Sequence, residues 1–210
     1  MAVISGRPAA FLAEHLDVAG LARWGSYGLE WVGAKGVIEE DPQASLWRAA
    51  VAEVVGDARK AAPTGVRVED KGLSVTLHVR DAPSAERWVR RFVRGWATGT
   101  GLVEHDAKMS VELRPPLDID KGTVVRRALG GRFRAACFVG DDRGDLSAFE
   151  ALDEVDHPVR VAVHSPESPP ELVAAADLVV DGPEGVLTLL NALARGVPLE
   201  DPHGSTRQED

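Results

Sequence analysis

One cysteine in 210 residues, Cys137, rules out an internal disulfide. That fits a reducing compartment and a cytoplasmic setting. Basic residues are also few: 24 lysines and arginines stand against 33 aspartates and glutamates, for a formal net charge of -9. A chain of that charge has no general affinity for nucleic acid or for an anionic membrane surface. A phosphorylated substrate stays open, because a few local cations hold one phosphate inside an acidic protein. No apolar run approaches the ~20 residues of a membrane span. Met1-Ala2-Val3-Ile4 has no basic lead and is too short for a signal peptide. Internal repeats are absent as well. With 44% hydrophobic and 27% charged residues, the chain reads as a soluble globule, either one large domain or a core with a small insertion. The polar end, 202–210, is expected to fray.

The organising stretch is Phe138-Val139-Gly140-Asp141-Asp142-Arg143-Gly144-Asp145. Residues 135–139 are apolar and predict a buried strand, with Cys137 as a core thiol. The strand stops at Gly140 and runs into aspartates at i, i+1 and i+4, and a helix is expected over 146–152. In an open α/β sheet, ligands bind beyond the carboxyl ends of the strands. Acidic side chains there suit a hard cation such as Mg2+. The plainer reading is an acidic loop whose aspartates cap the helix, although one aspartate is enough for a cap.

At the start, Ala2-Val3-Ile4 predicts a short strand that enters a helix near Pro8. Ser5 and Arg7 then stand at a strand end beside free helix N–H groups, a favourable place for phosphate; alternatively, Ser5 is only an N-cap. Residues 24–29 and 31–38 read as a hairpin. Asp41-Pro42 opens a helix to about 61, with Leu46, Ala49, Ala50, Val54 and Ala58 at helical spacing. Residues 66–80 alternate with period two, so Leu73, Val75, Leu77 and Val79 share a face. Glu69, Lys71, His78 and Arg80 fall near its turn or on its strands, which by itself suggests only a solvated face with a surface ion pair. A helix over 84–96 carries the stripe Trp88, Val89, Phe92, Val93 and Trp96. A strand pair follows over 102–114, turning at 106–108 and ending at Pro115-Pro116. Two helices on one antiparallel sheet make an α+β module. Beyond the prolines a helix runs to about 129, with Lys121 in its first turn. The helix dipole disfavours a cation there, so Lys121 is either placed for an anion or an ordinary surface lysine. Strands at 159–164 and 178–180 and a helix over 183–194 complete a mostly parallel, Rossmann-like α/β region.

Taken in order, these segments resemble the haloacid-dehalogenase-type phosphohydrolases. Ile4-Ser5-Gly6-Arg7-Pro8 is similar to that family's second motif, Asp120-Lys121-Gly122 to its third and Gly140-Asp141-Asp142-x-x-Asp145 to its fourth. Between the second and third lies room for an α+β cap. Gly25-Ser26-Tyr27-Gly28-Leu29-Glu30, the run Val68-Glu69-Asp70-Lys71-Gly72-Leu73-Ser74, His78-Val79-Arg80 and Val111-Glu112-Leu113-Arg114-Pro115 resemble the bacterial trehalose-6-phosphate phosphatases. Tyr27 departs from the usual histidine. The resemblance implies a core over 1–40 and 116–210 and a cap over 41–115. It implies Mg2+-dependent hydrolysis of trehalose 6-phosphate to trehalose and phosphate. Asp141 would ligate Mg2+, with Asp142 and Asp145 ordering the metal shell and Lys121. Ser5 and Lys121 would bind the phosphoryl oxygens. Glu69, Lys71 and Glu112 would grip the sugar hydroxyls, and Arg7 would also reach the substrate.

The family's first motif, Asp-x-Asp-Gly-Thr, does not occur in these 210 residues. In the family its first aspartate is the nucleophile and its second the acid–base, and its strand would precede Ile4. On this reading the chain as written lacks the first core strand, leaves strand edges unpaired and is expected to be unstable and inactive. Two alternatives remain: a non-catalytic sugar-phosphate-binding protein, and a phosphatase for another sugar phosphate such as sucrose phosphate.

Overall fold

The computed structural model describes residues 1–107 and 109–196. Lys108, in the turn predicted at 106–108, and the tail at 202–210 lie outside the described residues. The chain divides into two compact units, Met1–Val124 and Val125–Asp210.

The first unit starts with strand β1 (Ala2–Ile4), helix α1 (Ala9–His15) and strands β2 (Ala22–Gly25), β3 (Glu30–Val32) and β4 (Ile38–Glu40). These strands form one sheet in that order, with β1 and β2 parallel and the rest antiparallel. Pro8 precedes the first helical residue, where its missing N–H costs nothing. Helix α1 lies directly on β2: a Cβ at Gly25 would come 2.2 Å from the backbone nitrogen of Ala9. The expected hairpin forms, with β2 antiparallel to β3, and its turn is Ser26–Gly28, where φ is +48° at Ser26, +60° at Tyr27 and +105° at Gly28.

Two helices follow, α2 (Pro42–Ser45) and α3 (Arg48–Ala61), where the sequence predicted one. Asp41 caps the first through its Oδ1, 2.9 Å from the Gln43 N–H. The break at Leu46 and Trp47 shifts the helical phase. Leu46, expected on the apolar stripe, is therefore 80% exposed, and the buried stripe of α3 is Val51, Val54, Val55 and Ala58. Strands β5 (Arg67–Asp70) and β6 (Val75–His78), helix α4 (Glu86–Thr100) and strands β7 (Val103–Ala107) and β8 (Ser110–Arg114) complete an antiparallel sheet of order β5-β6-β8-β7. Val75, Leu77, Val111 and Leu113 share one face and pack with Val51, Val54, Val55, Val89 and Val93 in a single buried cluster. Trp88, Phe92 and Trp96 pack against that cluster, as the helical stripe predicted. Leu77 is fully enclosed. We expect Leu77→Ala to lower unfolding free energy by about 2–5 kcal/mol, since it removes the side chain and leaves a cavity. The shift of the urea midpoint measures it.

Helix α5 (Lys121–Leu129) spans the boundary between the units. The second unit contains β9 (Ala135–Gly140), α6 (Leu146–Ala151), β10 (His157–His164), α7 (Pro170–Ala174), β11 (Leu178–Asp181) and α8 (Gly182–Arg195). Its three strands are all parallel, in the order β11-β10-β9. Phe149, Ala162 and Leu172 form the buried cluster on one face, with Phe138 packed against it. Strand β9 is an edge among the described residues, and this corrects the expectation of a core thiol. Cys137 is exposed, and its register partner Val159 is 40% exposed. A two-sided apolar strand pattern predicts burial only when both neighbours are present.

Candidate functional site

The antiparallel sheet of the first unit has two unlike faces. Register aligns Glu69 with Thr76, Thr76 with Glu112 and Glu112 with His105, so these four side chains form one row across all four strands. The opposite face carries the valine and leucine core. Alternation explains the division, because Ser74, Thr76 and His78 interleave with Leu73, Val75 and Leu77, and Ser110, Glu112 and Arg114 interleave with Val111 and Leu113. The polar face is nevertheless enclosed: Thr76, Ser110 and Glu112 are 4%, 8% and 2% exposed. A solvated surface ion pair, the plainer reading of Glu69 and Lys71, does not describe it.

Glu112 is the centre of this face. Its Oε1 accepts from Ser74 Oγ at 2.6 Å and from Lys71 Nζ at 3.2 Å. Its Oε2 accepts from Arg114 Nη2 at 2.6 Å and from the Tyr27 hydroxyl at 3.3 Å. Burial pushes the Glu112 carboxyl up, but Arg114, Lys71 and the hydrogen bonds from Arg114 and Ser74 outweigh it and hold the pKa below the ordinary 4.5. The Arg114 guanidinium lies 3.5 Å from the centroid of the Tyr27 ring, a cation–π stack.

Glu69 forms a second node. His78 Nε2 lies 2.7 Å from its Oε2, and Arg7 Nη1 donates to its Oε1 at 2.9 Å. Burial raises its pKa, while His78, Lys71 and Arg7 together bring it below 4.5. Arg7 is more than half exposed, so its ion pair adds under ~1 kcal/mol to stability. Ser5 shapes the same loop: its Oγ accepts the Arg7 N–H at 3.1 Å, and its carbonyl accepts the Tyr27 N–H at 2.9 Å. Lys121 is 7% exposed at the start of α5, whose N-terminus Asp120 caps by accepting from the Thr123 N–H at 2.7 Å. A buried cation at a helix N-terminus opposes the dipole.

Of the residues singled out from sequence, Arg7, Glu69, Lys71 and Glu112 thus meet in the first unit. Sequence reasoning gave no role to Ser74, His78 or Arg114. Their signal was available in the polar half of the period-two alternation, whose apolar half had already identified the core.

In the second unit, Asp141, Asp142 and Asp145 follow β9. One carboxylate oxygen from each lies within 4.8 Å of the others. Their roles differ. Asp145 is 2% exposed, and its Oδ2 accepts the N–H groups of Asp141 at 3.0 Å and Asp142 at 3.1 Å. Its side chain fits because residue 140 is glycine, where a Cβ would come 2.5 Å from Asp145. Asp142 Oδ1 accepts the Gly144 N–H at 2.6 Å and caps the turn into α6. The helix-cap reading is therefore correct for Asp142, and Asp145 is a loop organiser. Asp141 is exposed and projects from a backbone that these bonds fix. The donor set is hard oxygen with two exposed members, which fits Mg2+, an ion that takes one or two carboxylates and keeps several waters.

The model of the trehalose-phosphatase family matches residues 1–177. A trehalose-phosphate phosphatase of Mycolicibacterium paratuberculosis is 30% identical over 161 residues, which cover 72% of this chain and 41% of that protein. The chain therefore spans less than half the length of this curated relative. A crystal structure described as a trehalose-6-phosphate phosphatase related protein superimposes with a TM-score of 0.76 at 23% identity, covering 93% of this chain and 82% of that one. The C-terminal domain of a C. albicans trehalose-6-phosphate phosphatase gives 0.71 at 19% identity, with 94% and 79% covered. At those identities the two structures speak to the fold, an α/β architecture with a parallel sheet and an antiparallel subdomain.

Proposed function

The chain belongs to the trehalose-phosphatase family, and on that premise we propose that the whole protein hydrolyses trehalose 6-phosphate to trehalose and phosphate with Mg2+. The observation that carries this reading is the enclosed polar sheet face, where Glu69, Lys71 and Glu112 are held by charged and hydroxyl partners. Fixed carboxylates and an ammonium group give directional acceptors and donors for sugar hydroxyls, and a site built to bond hydroxyls rejects analogues that lack them. Arg7 adds a partly exposed cation beside Glu69. Ser5 and Lys121 are assigned to the phosphoryl oxygens, Lys121 through its charge and Ser5 through its hydroxyl. Asp141 is the metal ligand, with Asp142 and Asp145 holding the loop that presents it. Mg2+ bound there would neutralise charge on the phosphoryl group. The finer reading of the fold, a haloacid-dehalogenase-type core with an inserted cap over 41–115, belongs to the same proposal. So does a cytoplasmic location; among the described residues no helix is long and apolar enough to cross a membrane.

Because Asp-x-Asp-Gly-Thr does not occur in these 210 residues, a second reading keeps the same pocket for sugar-phosphate binding without turnover. Phosphate release with Mg2+ separates the two. The substrates are trehalose 6-phosphate, sucrose 6-phosphate and an aryl phosphate. The chain is assayed alone and joined to a segment that bears the motif. Release from trehalose 6-phosphate by the joined protein is expected, with Glu69→Ala and Lys71→Ala lowering it while sparing the aryl phosphate. Tight binding with no release by either form would favour the binding-only reading. Preference for sucrose 6-phosphate would overturn the assignment of the sugar.

A further inference from the structure

The Glu112 carboxylate is full. Four donors reach it, two on each oxygen, and a carboxylate offers about four acceptor positions. A ligand hydroxyl that bonds Glu112 must therefore replace one of them. The Lys71 and Arg114 bonds carry charge, and the Ser74 bond is 2.6 Å long. The Tyr27 bond is neutral and, at 3.3 Å, the longest of the four. It is the weakest of the set.

Tyr27 is also held in place without that bond. Its ring lies under the Arg114 guanidinium and against Gly6, where a Cβ would come 2.6 Å from the ring. Its backbone is left-handed, as is that of Ser26, a conformation non-glycine residues rarely adopt. The turn is kept by the hydrogen bonds from Tyr27 N–H to the Ser5 carbonyl and from Ser26 N–H to the Arg7 carbonyl. Strained backbone of this kind persists where the surroundings over-determine it. Here it delivers one phenol hydroxyl to one carboxylate oxygen.

We propose that the Tyr27 hydroxyl stands in for a sugar hydroxyl, filling the acceptor position on Glu112 Oε2 that the ligand uses, so that Tyr27 is a specificity-determining residue of this pocket. The inference rests on the sugar-binding reading above. A sugar binds by displacing the phenol's hydrogen bond, and only a hydroxyl that reaches Oε2 in its place repays that exchange.

The experiment is calorimetric titration of the 210-residue chain with trehalose, wild type beside Tyr27→Phe. Removing the competing hydroxyl while keeping the ring should tighten binding about 3- to 10-fold, the worth of one neutral hydrogen bond. Tyr27 is the only tyrosine in the chain, so a 13C label at the phenol ring carbon Cζ gives one resonance. That resonance should move as wild-type protein saturates with trehalose. Equal or weaker binding by Tyr27→Phe, or a resonance unmoved at saturation, overturns the inference and leaves the sugar reading standing. No trehalose binding by either chain overturns the sugar reading and this inference with it. Should Tyr27→Phe fail to fold, the wild-type resonance alone decides.

Discussion

Glu112→Ala should cost about 3–5 kcal/mol of stability, the loss expected when one partner of a buried ion pair is removed. The reason is what stays behind. Side chains of Lys71 and Arg114 are 10% and 21% exposed, and both point their charge at the Glu112 oxygens. Without the carboxylate, two cations face one another with little water to screen them, and the Ser74 hydroxyl loses its acceptor. Arg114 is already committed, because its Nε is buried with no hydrogen-bond partner. Glu112→Gln should cost less, since the amide oxygen still accepts from one side and the shape is kept. A urea series on the three proteins measures the order, with wild type above Glu112→Gln and Glu112→Ala lowest. A loss under 1 kcal/mol for Glu112→Ala would mean the polar face is open to water.

The same carboxylate fixes how stability responds to acid. Glu112 and Glu69 both have folded pKa values below the ordinary 4.5. The unfolded chain therefore binds more protons than the folded one in the window beneath 4.5, and stability rises with pH there. The contribution is complete above 4.5 and is lost as pH falls through the folded values. Glu112→Gln should flatten this acid limb, which a pH series of urea midpoints reads directly.

Period-two alternation over 66–80 identified the buried face of β6 residue by residue, because a strand with one face on a core must alternate. It could not say that the other face was enclosed, since burial of Thr76 and Glu112 depends on segments far away in the sequence, such as the turn at Ser26–Gly28. Tyr27 shows the limit well. Its left-handed backbone and its reach to Glu112, 85 residues on, leave no local signature. The break at Leu46 and the exposure of Cys137 failed for opposite reasons. The first is a local phase change inside an otherwise helical pattern, and the second is a matter of which strands lie beside β9. The aspartate loop was legible in composition. Its division of labour was not, because Asp142 and Asp145 both accept backbone N–H groups of the loop while Asp141, their neighbour in type and sequence, does not.

That division gives the second large effect. Asp145→Ala should lose Mg2+ affinity by about 10- to 100-fold, as removal of a side chain that orients a ligand does. It should also destabilise the protein by about 1–3 kcal/mol, because the Asp141 and Asp142 N–H groups lose their shared acceptor. Asp141→Asn should behave differently. The substitution lies on the surface and breaks no bond within the loop, so stability should stay within about 0.5 kcal/mol. Mg2+ binding should nonetheless fall, because a neutral amide replaces an exposed carboxylate that is not engaged in capping the loop. Titration with Mg2+ alone, followed by calorimetry and paired with urea unfolding in the absence of the ion, separates the two variants. The pattern that supports the assignment is loss of affinity in both and loss of stability in Asp145→Ala only. If Asp141→Asn kept full affinity, the ligand would be elsewhere. If Asp145→Ala lost stability without losing affinity, Asp145 would organise the loop without orienting the metal ligand.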